Sequence, residues 1–183
     1  IDLGACAFNL PFDAEQVAAL INEFFNEEIA HSVKQSPEFN ALCKEAQLNE
    51  CIGFLKVMLE EHQLYLSPGE KSRQMLSRCL EHFSVAQVYN FIWRAAKDAA
   101  AYYMRSSISK RQAANSVVGN ISRSMERALA NEWEVKPFGR NYNLPQSSLS
   151  RVIFNMILGT DDGGFTYRLA DVFEKSDLYE QSV

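Results

Sequence analysis

Residues 84–106 read SVAQVYNFIWRAAKDAAAYYMRS and carry the strongest helical pattern in the chain. Apolar side chains recur along this stretch at spacings of three and four. The members of the stripe are Val85, Val88, Tyr89, Ile92, Ala96, Ala99 and Tyr103. Its alanines allow a neighbouring helix to approach closely. The pattern predicts a buried central helix over about 84–106, opened by a capping box of Ser84 and Gln87.

Helical periodicity and helix start signals also appear in other parts of the chain. The predicted segments are about 13–35, 37–66 (one kinked helix or two), a helix after 67–70, 110–131 and 145–158. Short connections between such segments favour antiparallel neighbours. The sequence therefore predicts an all-α fold, an orthogonal or antiparallel bundle of six to seven helices around 84–106.

Two segments near the C-terminus depart from this pattern. Residues 133–143 (WEVKPFGRNYN) mix aromatics with proline, glycine and asparagine, as loops and short strands do. A turn is predicted at 161–164, and 165–173 suits a strand or a short helix. We therefore expect a small irregular or β element near the C-terminus, within 133–143 and 160–173.

The expected domain organisation is simple. Residues 1–12 form a linker or a docked N-terminal segment, 13–175 form a single helical domain, and 176–183 form a frayed tail. At 183 residues, with 47% hydrophobic and 22% charged residues, the chain has a globular composition. A domain of this size buries enough apolar surface to fold without disulfides or metals.

Targeting signals and cysteine usage predict a cytoplasmic protein. No apolar run approaches the roughly 18 residues of a membrane span, so no membrane association is expected. Residues 1–12 lack the basic and apolar regions of a secretory signal. Cys6, Cys43, Cys51 and Cys79 form no C-x-x-C pair, which favours buried, reduced thiols over zinc ligands or disulfides.

The sequence shows no local motif for catalysis or cofactor binding. It has neither a G-x-S-x-G nucleophile elbow nor a glycine-rich phosphate loop. Glu28 and His31 have the Glu-x-x-His spacing of di-iron bundles, but those sites use that spacing twice. Residues 161–164 lack the ligand pattern of a calcium-binding EF-hand. We therefore expect no metal and no cofactor, and an enzyme would need a site assembled from scattered residues.

Charge is distributed unevenly along the chain. Residues 94–151 contain ten Lys or Arg and four Asp or Glu, a net charge of +6. Since the whole chain carries −5, the remaining residues carry −11. Either acidic and basic helices neutralise each other within the fold, or the basic part forms a surface for anions.

The basic region 105–142 contains a candidate site for an anion or a nucleic acid. Its proposed binding residues are Lys110, Arg111, Asn120, Arg123, Arg127, Lys136, Arg140 and Tyr142. Basic side chains neutralise phosphates, and aromatic faces stack on bases. Residues 109–129 also have the outline of a helix-turn-helix, although Asn120 follows Gly119 where an apolar residue is expected.

Two functional hypotheses follow from these features. Strong packing patterns without a catalytic constellation predict a non-enzymatic helical protein-interaction or regulatory module. Such a module acts through a protein partner or through self-association. The alternative is a nucleic-acid-binding domain that uses the basic region 105–142.

Overall fold

The chain forms a bundle of packed helices in the computed structural model, which describes residues 27–180. In chain order the helices are α1 Glu27–Lys34, α2 Phe39–Glu61, α3 Glu70–Leu80, α4 Val85–Arg105, α5 Lys110–Ala130, α6 Ser148–Ser150, α7 Gly163–Thr166 and α8 Leu169–Glu180. A π-helix, Arg151–Ile157, continues α6. No strand occurs within 27–180, which confirms the predicted all-α fold.

Of the two forms expected for 133–143, irregular or β, the structure has the irregular one, and no strand occurs between residues 133 and 173. The segment 133–143 is irregular because its polar backbone atoms bond to α4 and not to a partner strand. The Phe138 N–H donates to the Ala86 carbonyl oxygen (2.8 Å), and the Gln87 Nε2 donates to the Val135 carbonyl oxygen (3.1 Å). Beyond the turn at 161–162, the chain is helical in α7 and α8.

The predicted domain boundaries overlap only partly with the described residues. The linker at 1–12 and the first half of the helix predicted at 13–35 lie outside them. The boundary of the frayed tail at residue 176 falls within α8, where Ser176 is buried. Its hydroxyl accepts a hydrogen bond from Lys34 Nζ (3.3 Å), which ties the last helix to α1.

Capping boxes open both α4 and α5, and the box of Ser84 and Gln87 confirms the prediction from the sequence. The Ser84 hydroxyl accepts from the Gln87 N–H (3.3 Å), and the Gln87 side chain accepts from the Ser84 N–H (3.0 Å). Ser109 and Gln112 repeat this arrangement at 3.2 and 3.0 Å. Each box satisfies backbone N–H groups that the first helical turn leaves unbonded.

Helices α2 and α5 end in the same way, on a residue with left-handed backbone. Gln63 has φ 53° and Glu132 has φ 49°. The next N–H groups reach back to carbonyls of the last turn, Leu64 to Leu59 (2.9 Å) and Trp133 to Ala128 (2.9 Å). These bonds form Schellman motifs, in which glycine is the usual left-handed residue.

Helix α4 lies between α2 and α5 and forms the centre of the main core. On the α2 side, the Phe54 and Tyr89 rings stack with centroids 3.8 Å apart. On the α5 side, fully buried alanines from both helices meet, which permits close approach of the backbones. These alanines are Ala95, Ala96, Ala99, Ala113 and Ala114. The segment after α5 returns to the start of α4, so α4 and α5 are antiparallel.

A second, smaller hydrophobic cluster joins the start of α2 to the C-terminal helices. Its buried members are Phe39, Cys43, Ala46, Ile153, Phe154, Ile157, Leu158, Leu169 and Val172. Gly159, with φ +63°, ends the π-helix, as the sequence predicts for the end of 145–158. Gly164 of α7 packs directly against the face of the Phe154 ring.

Helix α5 is continuous through Gly119, so the predicted helix-turn-helix is wrong. The residues on both sides of Gly119 bury one shared apolar stripe against α4, and this packing keeps the helix straight. The buried members of the stripe are Ala113, Ala114, Val117, Ile121, Met125 and Ala128. Gly119 itself is exposed, and a Cβ there would meet no atom within 4 Å.

Replacing Gly119 by alanine is therefore expected to stabilise the protein by about 0.5–1 kcal/mol, because alanine loses less backbone entropy in a helix. Guanidinium unfolding measures this change. Gly159→Ala is the matched control, since that site is equally open but has φ +63°. It is expected to destabilise by about 1 kcal/mol. A destabilised Gly119→Ala variant contradicts a continuous, open α5.

Gly164→Ala is expected to destabilise the protein by about 2 kcal/mol or more, because overpacking a buried ring is costly. The added Cβ would lie 2.3 Å from carbons of Phe154, which is fully buried. Gly139→Ala serves as the control, since no atom lies within 4 Å of its Cβ position. Equal melting temperatures for both variants contradict the packing of α7 on the π-helix.

Candidate nucleic-acid interface

The candidate residues on α5 are spread along the whole helix. Lys110 and Arg111 lie in its first turn, whereas Asn120, Arg123 and Arg127 lie in its second half. At 1.5 Å per residue, Lys110 and Arg127 are about 25 Å apart along the axis. The predicted set is therefore an extended surface and not a single pocket.

The predicted polar face of α5 is present in its second half. Arg123 and Arg127 are exposed, and Asn120 is half-buried beside them. Arg123 donates through Nη2 to Asn120 Oδ1 and through Nε to the Gly119 carbonyl oxygen (3.3 Å). These bonds hold one guanidinium along the helix surface, and Arg127 stands one turn further on.

Arg140 does not belong to this surface. Its Nε and Nη2 donate to the two carboxylate oxygens of Asp162 (2.8 and 2.6 Å), and its Nη1 donates to Glu50 Oε2 (3.0 Å). The guanidinium also lies over the Phe165 ring at 4.3 Å. Only 19% of the Arg140 side chain is exposed, so we remove this residue from the candidate interface.

The role of Arg140 is to neutralise a buried carboxylate. Glu50 has 8% of its side chain exposed, and its Oε1 has no hydrogen-bond partner among the described residues. Burial acts to lower the pKa of Arg140, but the bonds to Asp162 and the charge of Glu50 outweigh it and raise that pKa. Arg140 therefore stays charged and joins α2 to the turn before α7.

Lys136 and Tyr142 remain exposed on the segment that crosses α4. The Lys136 carbonyl accepts a hydrogen bond from Asn90 Nδ2 (3.0 Å), which holds the backbone while the side chain is exposed. Tyr142 is 97% exposed. Phe138, which alternates with these residues in sequence, packs against Trp93 and Phe54 (centroids 5.8 and 5.7 Å). Phe138 therefore anchors the segment to the core, whereas Lys136 and Tyr142 on either side of it are exposed.

The basic part of the chain is not neutralised by the acidic part within the described residues. Of the ten bases in 94–151, only Arg140 has a carboxylate within 4.0 Å among residues 27–180. The other nine are all exposed: Arg94, Lys97, Arg105, Lys110, Arg111, Arg123, Arg127, Lys136 and Arg151. Three of these, Arg94, Lys97 and Arg105, lie on α4, the helix that packs against α5.

Exposed aromatic side chains are concentrated in the same region. Tyr102, Tyr103, Trp133 and Tyr142 all belong to the basic stretch 94–151. Tyr65 lies in the connection between α2 and α3 and is 71% exposed. Sequence reasoning did not place Tyr65 in the candidate site. No local pattern could have done so, because Tyr65 is at least 45 positions away from the α5 residues that it lies beside.

Tyr65 and the start of α5 line a shallow groove of about 530 Å³. Its walls are Tyr65, Leu66, Ser67, Lys110, Arg111 and Asn115. Lys110 Nζ lies 3.5 Å from Gln63 Oε1 and 5.9 Å from the centroid of the Tyr103 ring. Two cations and two tyrosines therefore meet at one corner of the bundle.

The cysteine thiols, which are potential nucleophiles, lie in the core among the described residues. Cys43, Cys51 and Cys79 are buried and free, as predicted, and burial raises the pKa of Cys43 and of Cys79 to about 12. Burial also raises the pKa of Tyr89. These groups lie in the core, away from the groove, where they are unreactive as nucleophiles. Cys6 lies outside the described residues.

Within 27–180, no three His, Cys, Asp or Glu side chains are grouped as metal ligands. His31 is exposed and makes a 2.7 Å side-chain contact with Gln35. None of the helices in this part of the chain has the length and hydropathy needed to cross a bilayer.

Comparison with known proteins yields no relative for this chain: no protein-family model, no curated protein and no solved structure matches it.

Alanine substitution at two members of the predicted site should affect the free energy of unfolding very differently. Arg140→Ala is expected to destabilise the fold by about 3 kcal/mol, because it leaves the buried Glu50 carboxylate unpaired. Lys136→Ala removes an exposed cation and is expected to change stability by less than about 0.5 kcal/mol. Urea unfolding distinguishes them. An Arg140→Ala protein as stable as Lys136→Ala contradicts the structural role of Arg140.

Proposed function

We propose that this chain binds nucleic acid through the outer faces of α4 and α5 and the segment after α5. The observation that carries the proposal is the group of nine exposed bases without a carboxylate partner in the described residues. Free cations of this kind neutralise phosphates and release the counterions condensed on them. This release supplies most of the sequence-independent affinity of nucleic-acid-binding proteins.

The shape of the basic surface supports a polyanion over a small anion. The bases of α5 alone extend about 25 Å along its axis, and further exposed bases lie on the neighbouring α4. A single phosphate contacts two or three such groups, whereas a phosphate chain contacts all of them. The acidic remainder of the chain, at −11, repels the same ligand and so orients it toward the basic surface.

The exposed aromatic residues extend the argument from phosphates to bases. Base stacking on an aromatic side chain contributes about 1–3 kcal/mol and depends little on sequence. Tyr65 and Tyr103 lie beside Lys110, and Trp133 and Tyr142 are exposed within the basic stretch 94–151. Cations interleaved with exposed rings are the usual composition of surfaces that bind single-stranded nucleic acid.

A protein-interaction module, the first hypothesis from the sequence, draws support from a different observation. Met104 is 84% exposed and lies beside Tyr102 and Tyr103 at the end of α4. Exposed methionine and tyrosine are enriched at protein interfaces. If this patch is the functional surface, light scattering shows a dimer or a larger species, and Met104→Glu restores the monomer.

The salt dependence of binding tests the nucleic-acid proposal. The protein is expected to bind DNA at low salt, with affinity that falls linearly in the logarithm of salt concentration. Replacing Arg123 and Arg127 together by alanine should reduce that slope by about two, since two phosphate contacts are lost. Fluorescence anisotropy with a labelled oligonucleotide measures both the affinity and the slope.

The control removes two charges elsewhere. Lys44 and Lys71 are exposed on α2 and α3, outside the basic region, and their double alanine variant should keep the wild-type slope. Absence of binding at low salt overturns the proposal, and so do equal slopes for the two double variants. In the first case the protein-interaction hypothesis takes its place.

A further inference from the structure

We propose that the groove between Tyr65 and the start of α5 holds an unstacked base of single-stranded nucleic acid. This inference rests on the proposed function and names the class of ligand for one part of that surface. It assigns Tyr65 as the stacking platform and Lys110 and Arg111 as the contacts for the flanking phosphates.

Tyr65 is held in position by the residues around it. Leu64 is fully buried, and its N–H donates to Leu59 at the end of α2 (2.9 Å). Leu66 packs against the main core from the other side. An exposed ring between two anchored neighbours is presented to solvent in a limited range of positions. Such pre-organisation lowers the entropy lost when a ligand is bound.

The charges at the groove are available to a ligand. The capping box uses the Ser109 and Gln112 N–H groups, and the positive charges that an anion meets in the groove are those of the Lys110 and Arg111 side chains. Lys110 has only the Gln63 amide oxygen and the Tyr103 ring nearby, and Arg111 is exposed. Neither has a carboxylate within 4.0 Å among residues 27–180.

The polar groups of the groove suit the edge of a base. Ser67 carries a hydroxyl, which donates and accepts, and Asn115 carries an amide with both functions. Leu66 supplies an apolar contact on the same wall. A ring stacked on Tyr65 therefore has hydrogen-bonding partners for its edge and cations for its phosphates, as a nucleotide requires.

The arrangement discriminates between single strands and duplexes. In a duplex, both faces of a base are covered by neighbouring bases, so none is free to stack on Tyr65. A single strand presents such a base without unpairing. The basic surface of α4 and α5 serves both ligands, because it contacts phosphates, whereas the Tyr65 groove adds affinity only for the single strand.

The test compares Tyr65→Ala with wild type on a single strand and on a duplex of equal length at fixed salt. We expect wild type to prefer the single strand, and Tyr65→Ala to bind it about tenfold more weakly with unchanged duplex affinity. Tyr65→Phe keeps the ring and should retain wild-type affinity. Tyr167→Ala, an exposed tyrosine of the C-terminal part, is the control for loss of a surface ring.

Parallel arms with oligo-deoxythymidylate and oligouridylate distinguish DNA from RNA as the source of the base. If Tyr65→Ala binds the single strand as tightly as wild type, this inference is overturned and the proposed function stands. The same holds if wild type binds single strand and duplex equally. Failure of wild type to bind either polymer overturns both proposals. Since Tyr65 is exposed, its variants should have the melting temperature of the wild type, which a thermal unfolding scan verifies.

Discussion

Close packing of α4 against α5 is the constraint on which the rest of the molecule depends. Buried alanines on both helices allow the backbones to approach, and the Tyr89 ring near the start of α4 stacks on Phe54. Because one side of each helix is used for this contact, every long charged side chain must lie on the opposite side. The exposed positions of the bases on α4 and α5 are therefore a consequence of how the core is built.

Local signals account for the parts of the fold that the sequence predicts well. The capping boxes at Ser84 and Ser109 and the apolar stripes of α4 and α5 involve residues within one or two turns of each other. The helix predicted over 110–131 is continuous through Gly119, because a glycine costs about 1 kcal/mol and a shared buried stripe outweighs that cost. The Asn120 mismatch in the helix-turn-helix pattern pointed in the same direction.

The errors at the site have a different origin, since they concern residues far apart in the chain. Arg140 pairs with Glu50, which lies 90 positions earlier, so its sequence neighbours give no sign of that contact. Tyr65 and the start of α5 are separated in sequence by α3 and α4, so the packing of both helices determines whether they lie together. Composition showed a basic region and an excess of aromatics, but the identity of the free and the paired cations required the three-dimensional structure.

The division of the apolar residues into two clusters bears on how the molecule opens. The smaller cluster, which includes Phe154 and Leu169, shares α2 with the larger one, and the polar links of the C-terminal part include the Arg140–Asp162 pair and a bond from Gln47 to the Gly164 carbonyl (2.6 Å). Such an arrangement favours sub-global unfolding, in which a C-terminal foldon detaches while α4 stays protected. Amide hydrogen exchange would then proceed in two tiers, faster over α8 than over the central helix.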